Sequence, residues 1–169
     1  MNIIGGVAKG HKIYAPDNIR PTRGKVREAL FSIIDVNDKT FLDLFAGSGA
    51  VGVEALSRGA AKVVFVERSR KAANYIKRNL EKTKLEGEII NKSVSATLDK
   101  IEDTFDFIFI DPPYKTELIM KTLKKIDVVL KSGSTIIVER PSDEEFEYDG
   151  FKIFKSKVYG DTSLTFLKR

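Results

Sequence analysis

The apolar positions of the chain change period along its length. From Gly24 to Asp35, Val26, Leu30, Ile33 and Ile34 recur at helical spacing and predict a short amphipathic helix with Thr22 as its cap. After it, apolar and β-branched runs at Thr40–Phe45, Lys62–Glu67, Glu88–Lys92, Phe105–Ile110 and Ser134–Glu139 predict buried strands. Helical stretches at about Ser48–Arg58, Arg70–Thr83, Ser95–Ile101 and Thr116–Leu130 lie between them. Strands that are apolar throughout and alternate with helices predict a mostly parallel sheet with helices on both faces. Phe151–Tyr159 and Ser163–Lys168 instead alternate in period two around Gly160-Asp161, so the seven-stranded sheet is expected to close with an antiparallel hairpin. No repeat or linker interrupts the pattern. A single domain over residues 1–169 follows, with the acidic Ser142–Asp149 stretch as solvated surface.

Composition narrows the function classes. The chain of 169 residues has no Cys, which excludes a disulfide framework, thiol catalysis and a thiolate zinc site, and one His, His11, makes no ligand set, so no metal is expected. The longest apolar runs, such as Val63-Val64-Phe65-Val66, are far too short to span a membrane. Met1 to Gly6 lacks a basic-then-apolar leader, and a cytoplasmic, monomeric protein is expected. The net charge of +5 is uneven: residues 1–28 hold Lys9, Lys12, Arg20, Arg23, Lys25 and Arg27 against Asp17 and Glu28, leaving only +1 for the rest. Residues 1–23 therefore read as a basic N-terminal arm before a core of residues 24–169, and keep nucleic acid among the candidate partners.

Two turns carry chemistry. Leu42-Asp43-Leu44-Phe45-Ala46-Gly47-Ser48-Gly49 runs from a strand through Gly-x-Gly into a helix, a turn whose bare backbone admits a ligand. Gly52 completes a formal dinucleotide spacing, and Glu67, about 20 residues on, is placed to take ribose hydroxyls, so both a dinucleotide and another adenosine cofactor fit at this point. The second turn, Asp111-Pro112-Pro113-Tyr114, ends the fourth strand. Its two prolines remove amide donors, leaving the Asp111 carboxylate and the Pro112 carbonyl as acceptors for the two hydrogens of an exocyclic amine. Tyr114 offers a face on which an extruded base can stack.

With these motifs the chain resembles the RsmD-type bacterial 16S rRNA guanine-N2 methyltransferases. The likeness runs through Ile3-Ile4-Gly5-Gly6, Arg20-Pro21-Thr22, Val26-Arg27-Glu28-Ala29-Leu30-Phe31, Glu54-Ala55-Leu56-Ser57-Arg58-Gly59-Ala60 and Tyr159-Gly160-Asp161-Thr162. It implies a Rossmann-like class I methyltransferase fold and S-adenosylmethionine as cofactor, bound by Asp43, Phe45, Ala46, Gly47, Ser48, Gly49, Glu67, Arg68, Ser93 and Val94. Gly47 and Gly49 would let the methionine part of the cofactor approach, with Asp43 near its amino group. Asp111, Pro112, Pro113 and Tyr114 would form the catalytic amine site. Where the family commonly has Asp after the third strand this chain has Asn91-Lys92-Ser93, and Ser93 is the candidate substitute.

The implied partner is 16S rRNA or a small-subunit assembly intermediate, contacted by Lys9, His11, Lys12, Arg20, Arg23, Lys25 and Arg27. On that reading, deleting residues 1–22 abolishes rRNA methylation and spares cofactor binding. Asp-Pro-Pro-Tyr is shared with DNA adenine 6-amino methyltransferases, but 169 residues leave no room for a duplex-reading domain. A non-catalytic RNA-binding module of the same fold and a dinucleotide oxidoreductase are the remaining alternatives.

Overall fold

The computed structural model describes residues 1–16, 24–113, 116–143, 148 and 150–169. The elements run α1 (Gly24–Ile33), β1 (Thr40–Leu44), α2 (Ala50–Ser57), β2 (Lys62–Val66), α3 (Arg70–Thr83), β3 (Glu88–Ile90), α4 (Val94–Leu98), β4 (Phe105–Ile110), α5 (Thr116–Leu123), a 3-10 turn Ile126–Val129, β5 (Leu130–Pro141), β6 (Lys152–Tyr159) and β7 (Thr162–Lys168). They form one seven-stranded sheet in the order β3-β2-β1-β4-β5-β7-β6. The first five strands are parallel, and β7 is antiparallel to both β5 and β6.

The two-residue alternation of each strand divides the core. Phe41, Val63, Phe65 and Phe109 face α1, α2 and α3, together with Leu30, Val51 and Ile76. Leu42, Leu44, Val64, Val66, Ile108 and Ile110 face the other layer, with Leu98, Ile119 and Val129. Burial on both sides explains why these strands are apolar on both faces at most positions. Among the described residues no helix is long and apolar enough to cross a membrane.

Two boundaries differ most from the sequence pattern. The helix expected over Thr116–Leu130 stops at Leu123, because the 3-10 turn brings both Ile126 and Val129 to full burial. The fifth strand begins at Leu130, earlier than Ser134: a register shift opposite Phe105 and Phe107 keeps it paired, with Ser134 Oγ donating to the Phe105 carbonyl at 2.6 Å. The hairpin turns at Gly160, φ 65°, the positive φ that a primed two-residue turn requires. What period alone did not reveal is that β7 inserts between β5 and β6, leaving β6 at the edge.

The basic N-terminal segment is not a projecting arm over its described part. Asn2 bridges Lys12 in antiparallel fashion, Ile13 N donates to the Met1 carbonyl at 2.7 Å, and Ile3, Ala8 and Ile13 are buried in the α1–α3 core. Residues 4–7 rest on α2: Ile4 N and Gly5 N donate to the Glu54 carboxylate at 2.9 and 2.8 Å, and Val7 N donates to the Ser57 carbonyl at 2.7 Å. At Gly6 (φ 75°) a Cβ would lie 1.7 Å from the Ser57 carbonyl oxygen, so only glycine permits this approach. Deleting residues 1–22 therefore removes core side chains, and the expected result changes from selective loss of rRNA methylation to loss of the fold.

Candidate active site

Four neighbouring strands end level with one another. Leu44 lies opposite Val66 and Ile110, and Val66 lies opposite Ile90. The next residues are Phe45, Glu67, Asn91 and Asp111, so the two motifs converge on one edge of the sheet, where open α/β sheets bind their ligands.

The turn after β1 is built from left-handed residues. Phe45 (φ 62°), Gly47 (φ 56°) and Gly49 (φ 77°) all take positive φ. Gly49 N donates to the Ala46 carbonyl at 2.7 Å and Ala46 N to the Val66 carbonyl at 3.0 Å. For Phe45, a side-chain-bearing residue, this conformation costs on the order of 1 kcal/mol or more and marks a backbone held by its surroundings. The glycines divide the work differently from the sequence expectation. A Cβ on Gly49 would lie 3.1 Å from Ile76 and one on Gly52 2.2 Å from Phe65, so both serve helix–sheet packing. Ser48 is buried as well, and the surface open to a ligand is Phe45-Ala46-Gly47.

Three carboxylates crowd this edge. Asp43 is 2% exposed and accepts from Gly52 N, in the first turn of α2, at 2.9 Å. Burial pushes its carboxyl up to about 8, and the neighbouring charges of Asp111 and Glu67 push the same way, against the Gly52 hydrogen bond. Glu67 spans two elements: Oε2 accepts from Gly47 N at 2.8 Å and Oε1 from Ser69 N at 2.6 Å. Asp111 and Pro112 are half-buried and Pro113 is exposed. Among the described residues no cluster of His, Asp or Glu suits a metal.

Other predicted positions serve different ends. Ser93 caps α4, its Oγ accepting from Ala96 N at 3.2 Å, and Val94 is core. Arg68 is exposed, and Asn91, which sequence reasoning passed over as a mere departure, donates from Nδ2 to the carbonyls of Glu67 (2.7 Å) and Arg68 (3.1 Å). Lys9, His11, Lys12 and Lys25 are exposed, with His11 Nδ1 3.0 Å from the Ala8 carbonyl. Arg20, Arg23, Tyr114 and the cap Thr22 lie outside the described residues. Arg27 is a correction: at 1% exposure it cannot meet a phosphate, and its guanidinium instead donates to the Asn2 carbonyl at 2.6 Å and pairs with Glu54 at 3.4 Å.

Two buried polar residues absent from the predicted set tie the N-terminal segment to the helices behind the site. Glu54 is the only charge in α2, an eight-residue helix buried along its whole length. Asn79 is 0% exposed on α3: its Oδ1 accepts from Tyr14 N at 2.9 Å, and its Nδ2 donates to the carbonyls of Tyr14 at 2.8 Å and Ser48 at 3.0 Å. One amide thus joins the N-terminal segment to the glycine turn. The signal was a polar residue at helical spacing from Ile76, within an apolar stripe.

Comparison with known proteins places this arrangement in context. The family model described as Conserved hypothetical protein 95 matches residues 1–168. A Haemophilus influenzae protein named ribosomal RNA small subunit methyltransferase D is 33% identical over 96% of this chain and 91% of its own. The solved Escherichia coli protein yhhF superposes with a TM-score of 0.90 at 31% identity, covering 100% of this chain and 97% of that one. A more distant solved chain, complexed with SAH, is 17% identical with a TM-score of 0.71 over 86% of this chain and 48% of its own, a likeness of fold alone.

Proposed function

Because this chain belongs to the Conserved hypothetical protein 95 family and is an RsmD-type rRNA methyltransferase, we propose that it methylates the exocyclic N2 amine of a guanine in 16S rRNA with S-adenosylmethionine as donor. The observation that carries the reading is the level ending of β1, β2 and β4, which brings the glycine turn, Glu67 and Asp111-Pro112 to one edge. S-adenosylmethionine, when bound, supplies an electrophilic methyl on a sulfonium.

The residues present fit a cationic, hydroxyl-bearing ligand. The charges of Asp111 and Glu67 oppose ionisation of the buried Asp43, and a positive group beside Asp43 offsets that opposition. Glu67 uses one lone pair on each oxygen for a backbone N–H and keeps others for ribose hydroxyls. Asp43 would face the amino group. Phe45, Ala46 and Gly47 offer the open part of the turn, and Arg68, Ser93 and Val94 the positions beyond β2 and β3.

For the chemistry, Asp111 and the Pro112 carbonyl would accept the amine's two hydrogens and turn its lone pair outward, and Tyr114 would stack on the base. Guanine's amine is a poor nucleophile because its lone pair is delocalised into the ring, so orientation is the main contribution. The Asp111 carboxylate also stabilises the positive charge that develops on nitrogen.

The assay is tritiated methyl transfer to naked 16S rRNA, assembled small subunits and DNA, followed by nucleoside analysis. Label in N2-methylguanosine is expected; label confined to DNA adenine would overturn the reading. A further consequence concerns pH. A cation beside Asp43 draws its carboxyl down from about 8, so the donor binds with release of a proton. Below pH 8 the free carboxyl is protonated and must ionise on binding, so affinity falls with falling pH by up to about tenfold per unit, and levels off above pH 8. Titration calorimetry in buffers of different ionisation enthalpy measures the released proton, and Asp43→Asn should abolish it. Binding without proton exchange in the wild type would exclude Asp43 from this role.

A further inference from the structure

A second basic feature lies away from the carboxylate edge. Tyr14, 38% exposed, gathers three cations. Lys82 Nζ sits 4.4 Å from the ring centroid and donates to the hydroxyl at 2.9 Å, and Lys12 Nζ approaches the same ring at 5.5 Å. Arg78 lines the same open cleft, of about 480 Å³, with Tyr14, Lys82 and Glu81. The Tyr14 hydroxyl is lowered below its usual range, chiefly by the Lys82 hydrogen bond and charge, and Lys12 and Arg78 act on it in the same direction. The one acid in the cleft, Glu81, lies 4.0 Å from Lys77. The ion pairs among the described residues leave Lys12, Arg78 and Lys82 out.

Like charges brought together on two separate elements, the N-terminal segment and α3, repel one another unless an anion joins them. Position adds to charge. Asn79 binds both backbone groups of Tyr14 and the Ser48 carbonyl, which ties the segment carrying Tyr14 to the glycine turn. An anion seated here is therefore held on a segment that is fixed to the glycine turn.

We propose that Lys12, Tyr14, Arg78 and Lys82 form a backbone-phosphate site for the rRNA strand flanking the target nucleotide. Ammonium, guanidinium and phenol groups are all donors to phosphate oxygens, and none reads a base edge here, so the site positions the strand and does not select its sequence. The proposal rests on the rRNA reading above and adds a contact outside the amine pocket.

The test is a triple variant, Lys12→Gln/Arg78→Gln/Lys82→Gln, in the full chain. All three side chains are exposed, so melting temperature and S-adenosylmethionine affinity should match the wild type. Filter retention of naked 16S rRNA across a salt series gives the slope of log affinity against log salt. That slope should fall by about 2 to 3, with at least about tenfold weaker binding at low salt. A matched triple variant, Lys100→Gln/Lys152→Gln/Lys157→Gln, removes equal charge from after α4 and from β6 and should bind nearly as the wild type. An unchanged slope in the first variant, or an equal loss in the second, overturns the site while the rRNA reading stands. Failure of the wild type itself to retain rRNA, whether naked or in assembled small subunits, overturns both.

Discussion

Asp111→Ala is expected to bind S-adenosylmethionine with near-wild-type affinity and to lose at least about 100-fold in methyl transfer, the scale of removing one group aimed at developing charge. The expectation comes from where Asp111 stands. It follows β4, whose Ile110 pairs with Leu44 at the end of β1, and its charge is felt at the buried Asp43. Its side chain is half-buried, and the backbone beside it is constrained by Pro112 and Pro113, so truncation removes a carboxylate without opening the core. An interaction made mainly with the transition state lowers kcat and kcat/KM together. Single-turnover rates with saturating rRNA and donor measure this directly, and turnover near that of the wild type would remove Asp111 from the amine site.

The largest effect on stability is expected from a residue with no part in the chemistry. Glu54→Ala should cost about 3–5 kcal/mol, the usual cost of leaving a buried charge without its partner. Glu54 is 0% exposed and takes four groups: Ile4 N, Gly5 N, Arg58 Nε at 2.8 Å and Arg27 Nε at 3.4 Å. The Arg27 approach is an ion pair without hydrogen-bond geometry, so charge carries it. Burial already lowers the Arg27 pKa, opposed by Glu54, and removing the acid leaves the guanidinium, among the described residues, with only the Asn2 carbonyl and the Met1 sulfur. For a chain of this size the melting temperature should drop by on the order of 10 °C. Replacing both partners, as Arg27→Met/Glu54→Leu, should restore part of the loss, because the fully buried guanidinium is then gone and Arg58, which also loses the carboxylate, is 26% exposed and reaches water. Unfolding midpoints for the three proteins decide the matter, and an additive double variant would contradict the pair.

These two residues show where local pattern stops being informative. Asp111 was legible because the run Phe107–Ile110 ends abruptly in Asp-Pro-Pro, and a buried parallel strand that stops at such a turn puts its next residue on the ligand edge. Glu67 was legible for the same reason at the end of β2. Arg27 was misplaced because charge along the chain was read as charge on a surface. Its place on the buried stripe of α1, one residue after Val26, became meaningful only when Glu54, 27 residues later, closed against it.

What the sequence by itself determined is therefore the set of elements and which residues stand at the strand ends, since periodicity, glycine turns and proline stops act over a few neighbouring residues. The tertiary structure alone decided the insertion of β7 between β5 and β6, the docking of residues 1–16 on α2, and the bridge of Asn79 between Tyr14 and Ser48. Each of these joins groups far apart in the chain, and such contacts are set by which buried polar atoms must find partners once the layers close. No local period records that requirement.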